Sequence, residues 1–142
     1  MASKEYYNNC ISEYRGQIAD NNHTIEVLES KKIAVSNKQS ENEQYLTERN
    51  TSISKLQYAK SEGVLIYGER LVPEVSYGKT SSILANYDNI NAAIDRKIQR
   101  LREENAQLES KISSCKDEIS RIEKEEQEEK EKQEKQKNDS KK

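Results

Sequence analysis

The chain has 142 residues, of which 32% are hydrophobic and 35% charged, with no Trp, no Phe and a single Pro. So few apolar side chains exclude an ordinary three-dimensional core but suffice for a one-dimensional seam, which needs about two apolar residues in seven. Twenty-four basic against 26 acidic side chains leave a formal net charge of −2, without the basic excess that would draw the chain to nucleic acid or anionic lipid. No apolar run approaches the ~20 residues of a membrane span, so no membrane insertion is expected. The N-terminal Met1–Asn9 has no apolar stretch of the secretory type. The expected compartment is the cytoplasm, with export of a folded helical shape, without a cleaved signal peptide, left open.

The first predicted element is a helix over about residues 3–60. Ser3 is a candidate N-cap, and Glu5 lies in the first turn where the helix dipole favours an acid. Tyr7, Ile11, Tyr14, Ile18, Asn21, Ile25 and Leu28 follow at alternating steps of four and three, and Val35, Leu46, Ile53 and Leu56 keep the phase. A repeat averaging 3.5 residues holds one narrow stripe in register and marks coiled-coil packing. With Ile11 at heptad position a, Tyr14 falls at d. Gly16 lies off the stripe. The middle of the helix is polar: Lys32, Gln39, Asn42 and Arg49 fall on the stripe, and 36–44 contains no apolar residue. Two readings compete there, a continuous coiled coil whose polar seam residues fix register, and a hinge that a partner helix stabilises.

Residues 61–79 form a connector with three of the four glycines and Pro73. Its apolar residues, Val64 to Tyr67 and Leu71 to Val75 among them, suggest a packed cap with a short strand pair, or a docking tip carried by Tyr67, Gly68, Tyr77 and Gly78. A second helix is predicted over about 80–135, with Ile83, Tyr87, Ile90, Ile94, Ile98, Leu101, Asn105, Leu108, Ile112, Cys115, Ile119 and Ile122 on its stripe. The steps Ile90–Ile94–Ile98 are both four, which reads as a stutter that locally unwinds the supercoil. Beyond Glu123 there is no apolar side chain, and Glu126–Lys130, Glu128–Lys132 and Glu131–Lys135 are helix-supporting pairs. This segment, 123–142, is expected to be a charged helical extension fraying to a disordered tail from about Lys137.

One stripe, a turn and a second stripe give the fold class: all-α, a long antiparallel two-helix hairpin (coiled coil) over 1–122 with a short structured connector and a charged C-terminal tail. The residues expected to carry the hairpin seam or partner binding are Tyr7, Ile11, Tyr14, Ile18, Ile25, Leu28, Ile90, Ile94, Ile98, Leu101, Leu108, Ile112 and Ile119. If Leu56 lies opposite Ile83, Cys10 falls opposite about position 129. Cys115 is then ~20 Å away along the helix, beyond the reach of a disulfide, and both cysteines are expected to stay reduced.

No catalytic, cofactor-binding or metal site is expected. His23 is the sole histidine, the cysteines form no C-x-x-C pair, and the glycines form no phosphate-cradling loop. An enzyme is therefore not expected. Flanking residues such as Tyr6, Val27, Ile33, Ala34 and Ala93 would remain exposed and available to added helices, as in three- and four-helix bundles.

Two long helices around a Gly-bearing turn, with a lysine- and glutamate-rich end, resemble the WXG-type (Esx-like) helical-hairpin proteins, and the YwqH-like family in particular. The likeness covers about Tyr6 to Ile122. At the place of the Trp-x-Gly turn this chain has Ile66-Tyr67-Gly68 and Ser76-Tyr77-Gly78 and no Trp. The resemblance implies a targeting chaperone of a Gram-positive type VII secretion system. It would bind the long N-terminal helices of an LXG toxin, with a second small helical protein as a further partner. A generic cytosolic coiled-coil scaffold, self-association, and a prefoldin-like chaperone subunit whose linker forms sheet are the alternatives.

Overall fold

A computed structural model describes residues 2–56 and 80–141 of the chain. Those residues form two helices, α1 (Lys4–Leu56) and α2 (Thr80–Ser140), packed against each other as an all-α helical hairpin. The connector at 61–79, with Tyr67, Gly68, Tyr77 and Gly78 and the suggested strand pair, lies outside the described residues.

Helix α1 begins where its sequence says it should. The backbone N–H of Tyr6 donates to Ser3 Oγ at 3.2 Å and that of Tyr7 to the Ser3 carbonyl at 3.2 Å, so Ser3 satisfies donors that the first turn leaves free. The helix then runs unbroken through the polar stretch 36–44, which decides for a continuous coiled-coil segment over a hinge. Helix α2 is continuous to Ser140, past Lys137, where fraying was expected. No Gly or Pro interrupts that stretch, and acid–base neighbours one turn apart sustain it.

The two helices contribute to two compact units, 1–24 with 100–142, and 25–99. In the first unit Ile11, Leu101, Leu108 and Ile112 are buried, with Tyr7, Tyr14, Ile18, Asn21, Asn105, Cys115, Ile119 and Ile122 half-buried beside them. All of these are a and d positions; Cys10 and Glu118, at g, are half-buried beside them. The Asn21 side-chain amide donates to Asn105 Oδ1 at 3.0 Å, and Asn105 donates in turn to Asn22 Oδ1 at 2.9 Å. That pairing sets the antiparallel register, with Ile18 opposite Leu108, Tyr14 opposite Ile112, and Ile11 opposite Cys115. At the start of α1, Lys4 Nζ meets Glu126 Oε2 at 2.7 Å.

This register corrects the cysteine geometry expected from sequence. Cys10 lies opposite about position 116, not 129. The assumed pairing of Leu56 with Ile83 was displaced by nearly two heptads. A slip of two whole heptads returns every stripe residue to the stripe, so the apolar pattern alone does not discriminate between the two alignments.

In the second unit Ile25, Leu46 and Ile98 are buried, and Leu28, Lys32, Val35, Gln39, Asn42, Leu84, Tyr87, Asn91 and Ile94 are half-buried. The α2 seam here is Leu84, Tyr87, Asn91, Ile94, Ile98, an uninterrupted three–four alternation. Ile83 and Ile90, expected on the seam, are 39% and 46% exposed, and the stutter does not exist. An apolar-only reading selects isoleucine over asparagine. The partner helix at this level is itself polar, however, and the Asn91 amide donates to Ser36 Oγ at 3.3 Å.

Candidate helix-docking edge

Each helix of a coiled coil has two positions, e and g, flanking the a/d seam. In an antiparallel pair e faces e and g faces g. In the 25–99 unit the two flanks differ in chemistry. The e side is closed by polar bridges. Lys32 Nζ meets Asp95 Oδ1 at 2.7 Å, Gln39 Nε2 donates to Asp88 Oδ1 at 3.1 Å, and Ser36 receives Asn91. Asp88, Asp95 and Ser36 are all e residues. Between the flanks the Asn42 amide donates to the Tyr87 hydroxyl. Lys32, Gln39 and Asn42, polar residues on a narrow seam, are thus matched across it and carry the specificity that apolar residues would lack.

The g side is open and apolar at one end. Tyr45 on α1 is 64% exposed, with Ile83 and Ile90 on α2 beside it. Two shallow depressions mark this edge, one of about 280 Å³ lined by Ile83, Asn86, Tyr87 and Ile90, and one of about 200 Å³ lined by Asn42, Tyr45, Leu46, Arg49 and Ile83. Ile83 lines both, so the two depressions adjoin, the second of them between the helices and the first on α2. The c positions adjoin g on a helix, and they bring Val27 and Ala34 of α1 and Ala93 of α2, all exposed, to the same side. Farther along, the g positions are lysines: Lys31 and Lys38 on α1, Lys97 on α2. Ile33, 63% exposed, is a b residue and belongs to the opposite side of α1.

The expected exposure of Tyr6, Val27, Ile33, Ala34 and Ala93 is therefore seen. Apart from Ile83 and Ile90, the apolar residues expected on the seam whose exposure is described are all buried or half-buried there. Sequence reasoning missed Tyr45 as a surface anchor and read Ile83 and Ile90 as seam. Writing the full heptad, with g alongside a and d, would have placed the three together.

The ionisable groups with displaced affinities lie in the other unit. Burial pushes the Cys115 thiol above its ordinary value, and Cys10 adds to the effect. The Tyr14 phenol is raised, first by desolvation and then by Cys10 and Cys115, while Lys111 Nζ lies 5.6 Å from the centre of its ring. Tyr6 is raised chiefly by its pairing with the Cys10 thiol one turn on, and its ring packs edge-on to Tyr7 at 5.4 Å. Among the described residues, no three His, Cys, Asp or Glu side chains gather as metal ligands would, and no helix is long and apolar enough to cross a membrane. No protein-family model, curated protein or solved structure matches the chain.

Proposed function

We propose that this chain is a non-enzymatic binding module that receives an amphipathic helix of a partner protein along the open g side of its 25–99 helix pair. The observation that carries this reading is the asymmetry of the two flanks: one is closed by Lys32–Asp95 and Gln39–Asp88, the other presents Tyr45, Ile83 and Ile90 to solvent. A furrow between two helices is the place where a third helix packs its apolar stripe. Tyrosine and isoleucine beside a depression are the anchors such an interface uses. Lys31 and Lys97 favour an acidic flank on the incoming helix, while Lys38 is already paired with Glu41 at 3.6 Å. A second copy of this chain docked by the same edge would bring lysine rows against lysine rows, which disfavours self-association there.

The partner class follows from the resemblance of the two long helices around a Gly-bearing segment to WXG-type hairpins. The partner is the long helical N-terminal region of an LXG-type toxin, and the chain is its targeting chaperone for type VII secretion. A seam whose best-buried side chains still keep 4–8% exposure gains stability when a third helix covers it. Mixing the full-length chain with the N-terminal region of an LXG toxin encoded beside it should give a defined complex by light scattering and raise the melting midpoint. An unchanged midpoint and two separate species would remove the toxin reading. Failure of Ile83→Lys/Ile90→Lys to weaken a complex that does form would remove the docking edge.

A further inference from the structure

Cys10 is a g residue of α1, and Cys115 is a d residue of α2. In an antiparallel pair a d side chain enters the space framed by d, g, a and d of the facing helix. The register fixed by Asn21 and Asn105 frames Cys115 with Tyr7, Cys10, Ile11 and Tyr14. Cys10 is thus a wall of the hole that Cys115 fills. Both thiols are free and half-buried, and each lies close enough to Tyr14 to raise its phenol, in keeping with that framing. We propose that Cys10 and Cys115 form a reversible intrachain disulfide that clasps α1 to α2 in the 1–24/100–142 unit. A knob and a wall of its own hole are side-chain neighbours, the condition a disulfide's short Cβ separation requires.

The oxidant is a low-molecular-weight disulfide. The thiolate of one cysteine attacks a sulfur of that disulfide, expelling one small thiolate and leaving a mixed disulfide on the protein. The second cysteine, as thiolate, attacks the protein sulfur of that adduct and expels the second small thiolate. One S–S bond is broken and one formed, two electrons pass to the small disulfide, and the two cysteine protons end on the two small thiols. The side chains around the pair decide which outcome prevails. Tyr6 and Tyr14 stand one turn before and after Cys10, crowding a bulky adduct there, while Cys115 is already seated across the seam. Resolution to the protein disulfide is therefore favoured over a standing adduct. Once formed, the bond ties two positions far apart in sequence and restricts the unfolded chain strongly.

The test uses the full chain at low concentration with oxidised glutathione at mildly alkaline pH. The expected result is loss of both titratable thiols from a monomeric species, one cross-linked Cys10–Cys115 peptide on mass spectrometry, and a melting midpoint raised by on the order of 10 °C that dithiothreitol reverses. Cys10→Ser should stop at a single glutathione adduct on Cys115. Chains joined to one another, two stable glutathione adducts on the wild-type chain, or unconsumed thiols would each overturn the proposal. None of these readouts depends on the presence of a helical partner.

Discussion

The contact between Asn21 and Asn105 offers the sharpest perturbation. Asn105 accepts from Asn21 at 3.0 Å and donates to Asn22 at 2.9 Å. In Asn21→Leu the Asn105 carbonyl loses its donor but the amide keeps Asn22. In Asn105→Leu both bonds go, and the Asn21 amide faces leucine. An unsatisfied buried polar group costs ~1–3 kcal/mol. Both asparagines are half-buried, so the lower part of that range applies. Asn21→Leu should lose roughly 0.5–1 kcal/mol and Asn105→Leu about 1.5 kcal/mol. The double variant places leucine against leucine on an otherwise apolar seam and should equal or exceed the wild type. The coupling free energy is then on the order of 2 kcal/mol, visible as a difference of several degrees between observed and additive midpoints in helicity melts. Simple additivity of the two substitutions would refute the claim that these side chains act as a matched pair across the seam. Within the 1–24/100–142 unit the double variant should also hold its alignment less strictly, because no matched amide pair on that stretch of seam then separates the native register from one displaced by two heptads. Only the polar matches of the other unit and the exposed Lys4–Glu126 bridge still oppose the slip. Its Cys10–Cys115 cross-linking yield should fall below that of the wild type.

Further outcomes are expected. Leu101→Asp puts a carboxylate where only 6% of the residue is exposed and should destabilise by about 3–5 kcal/mol, read as loss of helicity; retained helicity and an unchanged midpoint would show the seam assignment to be wrong. Gly16→Ala should stabilise by about 0.5–1 kcal/mol, since a methyl group there meets nothing within 4 Å; a lower midpoint would contradict an open outer face at that turn. Ile83→Lys/Ile90→Lys should leave the midpoint of the isolated chain nearly unchanged while abolishing partner-induced stabilisation. Alkaline pH should destabilise the fold: Cys115, Tyr6, Tyr14 and Lys4 all hold their protons more tightly when folded, so the folded chain binds more protons than the unfolded one and stability falls as pH rises through and above about 9. A midpoint that is flat or rising between pH 8 and about pH 11 would refute that sign.

The fold was legible because heptad phase is a strong signal. On α1 the residues from Tyr7 to Leu46 that the alternation selects are those that lose exposure to water, down to the polar Lys32, Gln39 and Asn42. On α2 the same rule failed at Ile83 and Ile90 for a physical reason. Isoleucine at g and asparagine at a reverse the usual hydrophobic order, and this happens where the seam has become a hydrogen-bonded one. Register was less legible, because apolar stripes are periodic and tolerate slips by whole heptads. The information was nevertheless present in the polar exceptions. The alignment first expected would set Asn21 against about position 118, beside Ile119, and Asn105 against about position 34, beside Val35, whereas the native one matches the two amides. The docking edge was hidden for a related cause: a residue just off the seam reads the same as one on it until the neighbouring helix is in place.

From Glu123 to Ser140 every side chain of α2 faces water, so that stretch buries no apolar surface and, beyond the single Lys4–Glu126 bridge, is held by its own backbone bonds and by charge attractions between neighbouring turns. It should therefore respond to the medium as an isolated peptide does, shedding helicity in concentrated salt and on gentle warming while the seam-bearing turns persist. A limited digest by a lysine-directed protease would then trim the chain from this end first, in short successive steps.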